Sequence, residues 1–82
     1  MIKTLYETDF HEGKISINWD KAKEELQISG YNGRTTIAFE YVWEVCKINN
    51  FAQDANFQRV IIQYFNQNTL ENLTQQLAKG LE

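Results

Sequence analysis

Apolar side chains dominate residues 35–48, TTIAFEYVWEVCKI, and their spacing fits two different periods. At the strand period of two, one face would carry Ile37, Phe39, Tyr41, Trp43 and Val45, and the other would carry Ala38, Glu40, Val42, Glu44 and Cys46. At the helical period of 3.6, a polar stripe would carry Thr36, Glu40, Glu44 and Lys47. β-Branched and aromatic residues favour a pleated, half-buried surface. We therefore predict a strand over residues 34–46, with a helix over residues 36–48 as the alternative.

A tight turn is predicted just before this strand. Residues 32–33 are Asn-Gly, a dipeptide typical of two-residue hairpin turns because both residues tolerate positive φ. Strands paired across this turn would place Ile28 opposite Ile37 and Leu26 opposite Phe39. The predicted strand is longer than the usual ~5–6 residues, which indicates a bulge or a bend within it.

The N-terminal residues predict another hairpin, with strands over residues 3–10 and 14–19 and a Glu-Gly turn at 12–13. Pairing across that turn would match Phe10 with Ile15, Thr8 with Ile17 and Tyr6 with Trp19. Residues 20–25 are rich in helix-forming residues, and Asp20 suits an N-cap. We expect a helical turn or short helix there, followed by a short strand.

The C-terminal half is predicted to contain one strand and one helix. Residues 59–65 are rich in β-branched and aromatic residues and are predicted to form a strand, although residues 57, 60, 61 and 64 also fit helical spacing. Asn68 suits an N-cap, and Glu71 lies three residues further on, as in a capping box. One apolar stripe would carry Leu70, Leu73, Leu77 and Leu81, with Gln75 and Gln76 facing away. These features predict a helix over residues 69–80.

Together these elements predict an α+β fold: a small antiparallel β-sheet with the C-terminal amphipathic helix packed on one face. The alternative is a mostly helical protein with an N-terminal β-hairpin, in which residues 36–48 and 55–66 are helices. The chain has 82 residues and no linker-like or repeated segment, so we predict a single domain over residues 1–82.

Charge and cysteine content narrow the class of protein. The formal net charge is −3, which lacks the basic footprint of a protein that binds a phosphate backbone. A single cysteine rules out an intrachain disulfide. The N-terminus is acidic where a signal peptide needs an apolar run, and no stretch approaches the ~20 apolar residues of a membrane span. We expect a cytoplasmic protein with no membrane association.

The residues that could carry chemistry form no recognisable site. His11 has no second histidine or cysteine at metal-ligand spacing, and it is the sole candidate base for Cys46. We expect His11 at a solvated turn edge and Cys46 in the core or on a sheet face. Glu40 and Glu44 fit a solvated acidic stripe, with an acidic contact patch as the alternative. No catalytic, metal-binding or cofactor-binding residue is therefore predicted, and the protein is not expected to be an enzyme.

The leading functional hypothesis is a small acidic protein-binding module, such as an inhibitor, an immunity-type protein or an adaptor, that masks a partner protein's surface. Its predicted binding residues are Glu40, Val42 and Glu44 on one strand face and Tyr31 and Arg34 at the adjacent turn. Homodimerisation through an exposed sheet face or edge is a further option. The alternative hypothesis is a regulatory nucleic-acid-binding domain that uses Tyr31, Arg34, Lys21 and Lys23.

Overall fold

The computed structural model describes residues 2–10, 13–33 and 36–79 and confirms the α+β class, with a four-stranded antiparallel sheet and two α-helices. The chain divides into two compact units, Met1–Lys47 and Ile48–Glu82. We call them the sheet unit and the helical unit and describe each by itself. The sequence-based prediction of one domain stays a prediction.

Four strands that are consecutive in the chain form the sheet unit, in the order β1-β2-β3-β4. They are β1 (Ile2–Phe10), β2 (Gly13–Asp20), β3 (Glu25–Asn32) and β4 (Thr36–Glu44). A short 3₁₀ helix, Val45–Lys47, follows β4. Strands that follow one another in the chain lie side by side, as expected for hairpin-linked antiparallel strands.

The segment between β2 and β3 is a turn, and the predicted short helix over residues 20–25 is wrong. Residues 21–24 form the turn, and β3 is a full eight-residue strand that begins at Glu25. Asp20 nevertheless acts as predicted for a capping side chain, because its Oδ1 accepts hydrogen bonds from the backbone N–H groups of Ala22 (3.1 Å) and Lys23 (3.3 Å). Glu24 has a φ of 53° and thereby reverses the chain before β3 begins.

The first hairpin forms where predicted but with a different register. Phe10 pairs with Gly13, so residues 11–12 join the strands, rather than a turn at residues 12–13. As a result, Ile15 pairs with Thr8 and not with Phe10. A bulge lies between Thr4 and Tyr6. The predicted position of His11 lies outside the described residues.

The second hairpin also has a different register from the predicted one. Asn32 pairs with Thr36, so the loop spans residues 33–35 rather than a two-residue turn, and Gly33 adopts a positive φ of 68°. A bulge follows, because Gly30 pairs with Phe39 and Tyr31 pairs with Ile37, which leaves Ala38 without a register partner. The pairs predicted for β3 are therefore wrong: Ile28 pairs with Tyr41, and Leu26 pairs with Trp43.

Alternation along the strands separates two faces of the sheet. One face, which we call the aromatic face, carries Tyr6, Thr8, Phe10, Ile15, Ile17, Trp19, Leu26, Ile28, Gly30, Phe39, Tyr41 and Trp43. Its central aliphatic residues are fully buried. Neighbouring rings of Phe10, Phe39, Tyr41 and Trp43 have centroids 5.8–5.9 Å apart. Gly30 provides space for the Phe39 ring, since a Cβ on Gly30 would lie 2.3 Å from that ring.

The helical unit contains a 3₁₀ helix (Phe51–Gln53), α1 (Ala55–Tyr64) and α2 (Gln67–Ala78). The strand predicted over residues 59–65 is therefore wrong, and the helical alternative for residues 55–66 is correct. Asp54 caps α1 by accepting a 2.9 Å hydrogen bond from the backbone N–H of Phe57. The cap and the helical spacing of the buried residues Phe57, Val60 and Ile61 outweigh the β propensity of this segment.

The predicted C-terminal helix exists but begins earlier than expected. Asn66 caps α2 by accepting a 2.8 Å hydrogen bond from the backbone N–H of Thr69, so the N-cap predicted at Asn68 is wrong. Leu70 and Leu73 are buried, and Leu77 is half-buried. The predicted stripe residue Leu81 lies outside the described residues. Gln75 and Gln76 are exposed, as predicted.

We predict that Leu73→Ala lowers the free energy of unfolding by about 2–5 kcal/mol, because Leu73 is 2% exposed and its removal leaves a cavity. Leu77→Ala is the matched control on the same helix and should cost less, since Leu77 is only half-buried. Urea denaturation followed by circular dichroism would measure both changes. Equal midpoints for the two variants and the wild type would contradict the burial of Leu73.

Candidate functional site

The second face of the sheet is strongly acidic, and we call it the carboxylate face. It carries Ile2, Thr4, Glu7, Asp9, Lys14, Ser16, Asn18, Asp20, Glu25, Gln27, Ser29, Tyr31, Glu40, Val42 and Glu44. Six of these side chains are carboxylates and one is a lysine, whereas the net charge of the whole chain is only −3. Negative charge is therefore concentrated on one side of the sheet unit.

One end of this face holds three carboxylates in adjacent strands. Asp20 pairs with Glu25, and Glu25 pairs with Glu44, so the three residues form a row across β2, β3 and β4. Like charges directly opposite each other on a sheet are unfavourable. A nearby cation offsets part of this cost, because Nζ of Lys47 lies 2.8 Å from Oε2 of Glu44. The hydrogen bond to Glu44 and the charge of that carboxylate raise the pKa of Lys47 above its ordinary value.

The centre of the carboxylate face is neutral and hydrogen-bonded. The hydroxyl of Thr4 donates to Oδ1 of Asn18 at 2.9 Å, and Nδ2 of Asn18 donates to Oγ of Ser16 at 3.2 Å. Ser29 donates to a carboxylate oxygen of Glu40 at 3.3 Å. Ser16 and Ser29 are both buried. These hydrogen bonds limit the motion of the central side chains and leave the exposed carboxylates nearer the margins.

The three predicted binding residues on β4 share the carboxylate face, as the strand pattern indicated. Glu40, Val42 and Glu44 are all exposed, and Val42 exposes 47% of its surface. Ile37, at the other side of the bulge, exposes 55% and lies opposite Tyr31 rather than in line with the aromatic face. β4 therefore combines carboxylates with apolar side chains at the margin of the sheet.

Tyr31 is half-buried near the opposite end of the sheet from Asp20 and Glu44. It lines a pocket of about 700 Å³ together with Glu7, Asp9, Gly13, Lys14, Ser16 and Gly33. Within this pocket, Nζ of Lys14 lies 3.4 Å from a carboxylate oxygen of Glu7. Arg34, the other predicted turn residue, lies outside the described residues.

The residues of the alternative nucleic-acid hypothesis are not adjacent. Lys21 and Lys23 lie in the turn that precedes β3, whereas Tyr31 lies near the end of that strand. At ~3.3 Å per residue, the length of β3 separates them by roughly 20 Å. The described members of this set therefore do not form one basic patch.

Several carboxylates of this face were not predicted as site residues, namely Glu7, Asp9, Asp20 and Glu25. The spacing of residues 7 and 9 does place both on one strand face, which is a signal available in the sequence. The row from Asp20 to Glu44 has no such signal. It depends on the register of two hairpins, which brings together residues far apart in the chain.

The helical unit has a pocket of its own, with a volume of about 330 Å³. Its lining is rich in amides and comprises Ala52, Gln53, Gln58, Gln67, Leu70, Glu71, Thr74 and Gln75. Nε2 of Gln58 donates to the backbone oxygen of Ala52 at 2.9 Å, so one of these amides has a structural role. The lining offers hydrogen-bonding groups but no arrangement of a nucleophile with a base.

Cys46 is exposed in the 3₁₀ helix after β4, so its predicted place in the core or on a sheet face is wrong. The strand ends at Glu44, two residues before the cysteine, and the alternation that placed it on a face ends there too. Among the described residues, no three histidine, cysteine or acidic side chains are placed to hold a metal ion together.

Comparison with protein-family models, curated proteins and solved structures found no match for this chain. None of the helices in the described ranges has the length and apolar character needed to cross a membrane. The geometry of the carboxylate face is therefore the basis for a functional proposal.

Proposed function

We propose that this protein is a non-enzymatic protein-binding module, acting as an inhibitor, an immunity-type protein or an adaptor that masks a basic surface of another protein. The observation that carries the proposal is the concentration of six carboxylates and a single lysine on one face of the sheet unit. A surface with one dominant sign of charge attracts a partner of opposite charge and repels others.

The apolar side chains beside the carboxylates support the same proposal. Long-range charge mainly accelerates encounter, whereas burial of apolar area supplies affinity. Val42 and Ile37 are both about half exposed on β4, next to Glu40. A partner with basic residues around an apolar patch would complement this strand.

We predict that the double variant Glu40→Lys/Glu44→Lys slows association with the partner by about tenfold or more, because steering attraction becomes repulsion. Stability should change little, since both side chains are exposed. The partner would first be captured from the native host by the wild-type protein and identified by mass. Association rates would then be measured by surface plasmon resonance at low and high salt.

The matched control is Glu24→Lys/Glu71→Lys, which changes the net charge equally at two exposed positions that are not on the carboxylate face. It should retain most of the wild-type association rate. Equal slowing by both double variants would indicate a net-charge effect only. An unchanged rate for Glu40→Lys/Glu44→Lys would refute the carboxylate face as the binding surface.

A further inference from the structure

The outer edge of β4 is available for pairing with another strand. β4 is the last strand in the order β1-β2-β3-β4 and pairs with β3 on its inner side. Its side chains on the carboxylate face are exposed along residues 40–44. Edge strands carry backbone N–H and C=O groups that can template an added strand.

The part of β4 after the bulge is regular. Register runs without interruption from Phe39 to Glu44, whereas the bulge at Ala38 disrupts pairing before it. On the aromatic face, Tyr41 and Trp43 stack with an interplanar angle of 9° and a centroid distance of 5.9 Å. This packing holds the strand in an extended conformation that a partner strand can follow.

We propose, building on the protein-binding function above, that an extended segment of the partner pairs with the outer edge of β4 over residues 39–44. The segment has the pattern basic–x–aliphatic–x–basic. Its basic side chains lie opposite Glu40 and Glu44, and its aliphatic side chain lies opposite Val42, because residues directly opposite in a sheet project to the same side. The pattern reads the same in both directions, so it fits parallel and antiparallel addition alike.

Charge excludes a second copy of this chain from that register. An antiparallel copy centred on Val42 would place Glu40 of each copy opposite Glu44 of the other. Directly opposed like charges destabilise strand pairing, whereas opposed lysine and glutamate stabilise it. The edge is therefore suited to a basic strand from a different protein.

The test uses short synthetic peptides with the sequence TKTVTKT, free termini blocked, and the full-length protein. One derivative is N-methylated on the two lysines and the valine, and the other is N-methylated on the threonines. In strand addition, the amides of alternate residues point toward β4 and the rest point away. We expect the parent peptide to bind, and one derivative alone to lose about tenfold or more in affinity because its hydrogen bonds to the edge are lost.

Charge supplies the second readout of this test. Glu40→Lys/Glu44→Lys should weaken binding of the parent peptide about tenfold, and Glu24→Lys/Glu71→Lys should not. Equal binding of both N-methylated derivatives and the parent would overturn strand addition while leaving a side-chain-only docking face intact. Absence of binding by any peptide would also overturn it, and the proposed function would still be judged on the captured partner. A concentration-dependent dimer in sedimentation that excludes the peptide would assign the edge to a second copy and contradict the proposal.

Discussion

Replacing Trp43 by alanine is expected to lower the free energy of unfolding by about 3–5 kcal/mol, the usual cost of a large-to-small change in a core. Trp43 is 8% exposed on the aromatic face, where it lies opposite Leu26 and stacks on Tyr41. The variant loses both the burial of an indole and the ring stacking. Since folded domains are typically stable by only ~5–15 kcal/mol, this change removes a large part of the total.

Val42→Ala is the matched control, because it lies on the same strand but projects from the opposite face and is 47% exposed. It should change stability by less than about 0.5 kcal/mol, as is usual for surface substitutions. Urea denaturation followed by circular dichroism would measure both variants. A larger loss for Val42→Ala than for Trp43→Ala would mean that the two sheet faces are assigned the wrong way round.

The two faces of β4 could be predicted from the sequence even though its register could not. The predicted two-residue turn set Ile28 opposite Ile37, whereas Ile28 pairs with Tyr41. This shift of four residues is even and therefore keeps each side chain on its predicted face. The longer loop alone would have shifted the pairing by three residues and inverted the faces. The bulge at Ala38 adds one more residue and restores them.

Local pattern could not decide the structure of residues 55–64. The run from Val60 to Tyr64 has the composition of a strand, and its apolar residues also have helical spacing. In the folded protein, Asp54 caps the segment and Phe57 packs against the ring of Phe51 at a centroid distance of 4.6 Å. Capping and burial of one helical stripe therefore determine this element, and both depend on residues that precede the run.

The candidate site was predictable only where it lies within one strand. Glu40, Val42 and Glu44 alternate along β4, so period two alone places them on one face. The contribution of Asp20 and Glu25 depends on pairing between strands, which turn lengths and bulges determine. A single sequence gives little information about either, which explains why the full extent of the carboxylate face was not predicted.

Replacing Phe57 by alanine is the second change expected to have a large effect, at about 3–5 kcal/mol of unfolding free energy. Phe57 is fully buried in the helical unit and contacts the ring of Phe51. The matched control is Ile62→Ala on the same helix, because Ile62 is 50% exposed. The control should cost well under half as much as Phe57→Ala.

Two spectroscopic probes make the Phe57 variant a test of the predicted single domain. Both tryptophans, Trp19 and Trp43, lie in the sheet unit, whereas α1 and α2 lie in the helical unit. Tryptophan fluorescence and helical circular dichroism therefore follow different units during urea denaturation. The helical unit is shorter than the ~40 residues below which chains rarely fold without added support. We expect Phe57→Ala to shift both signals to the same lower urea midpoint. A shift of the helical signal with an unchanged fluorescence midpoint would show that the two units unfold independently, and the prediction of one domain would then be wrong.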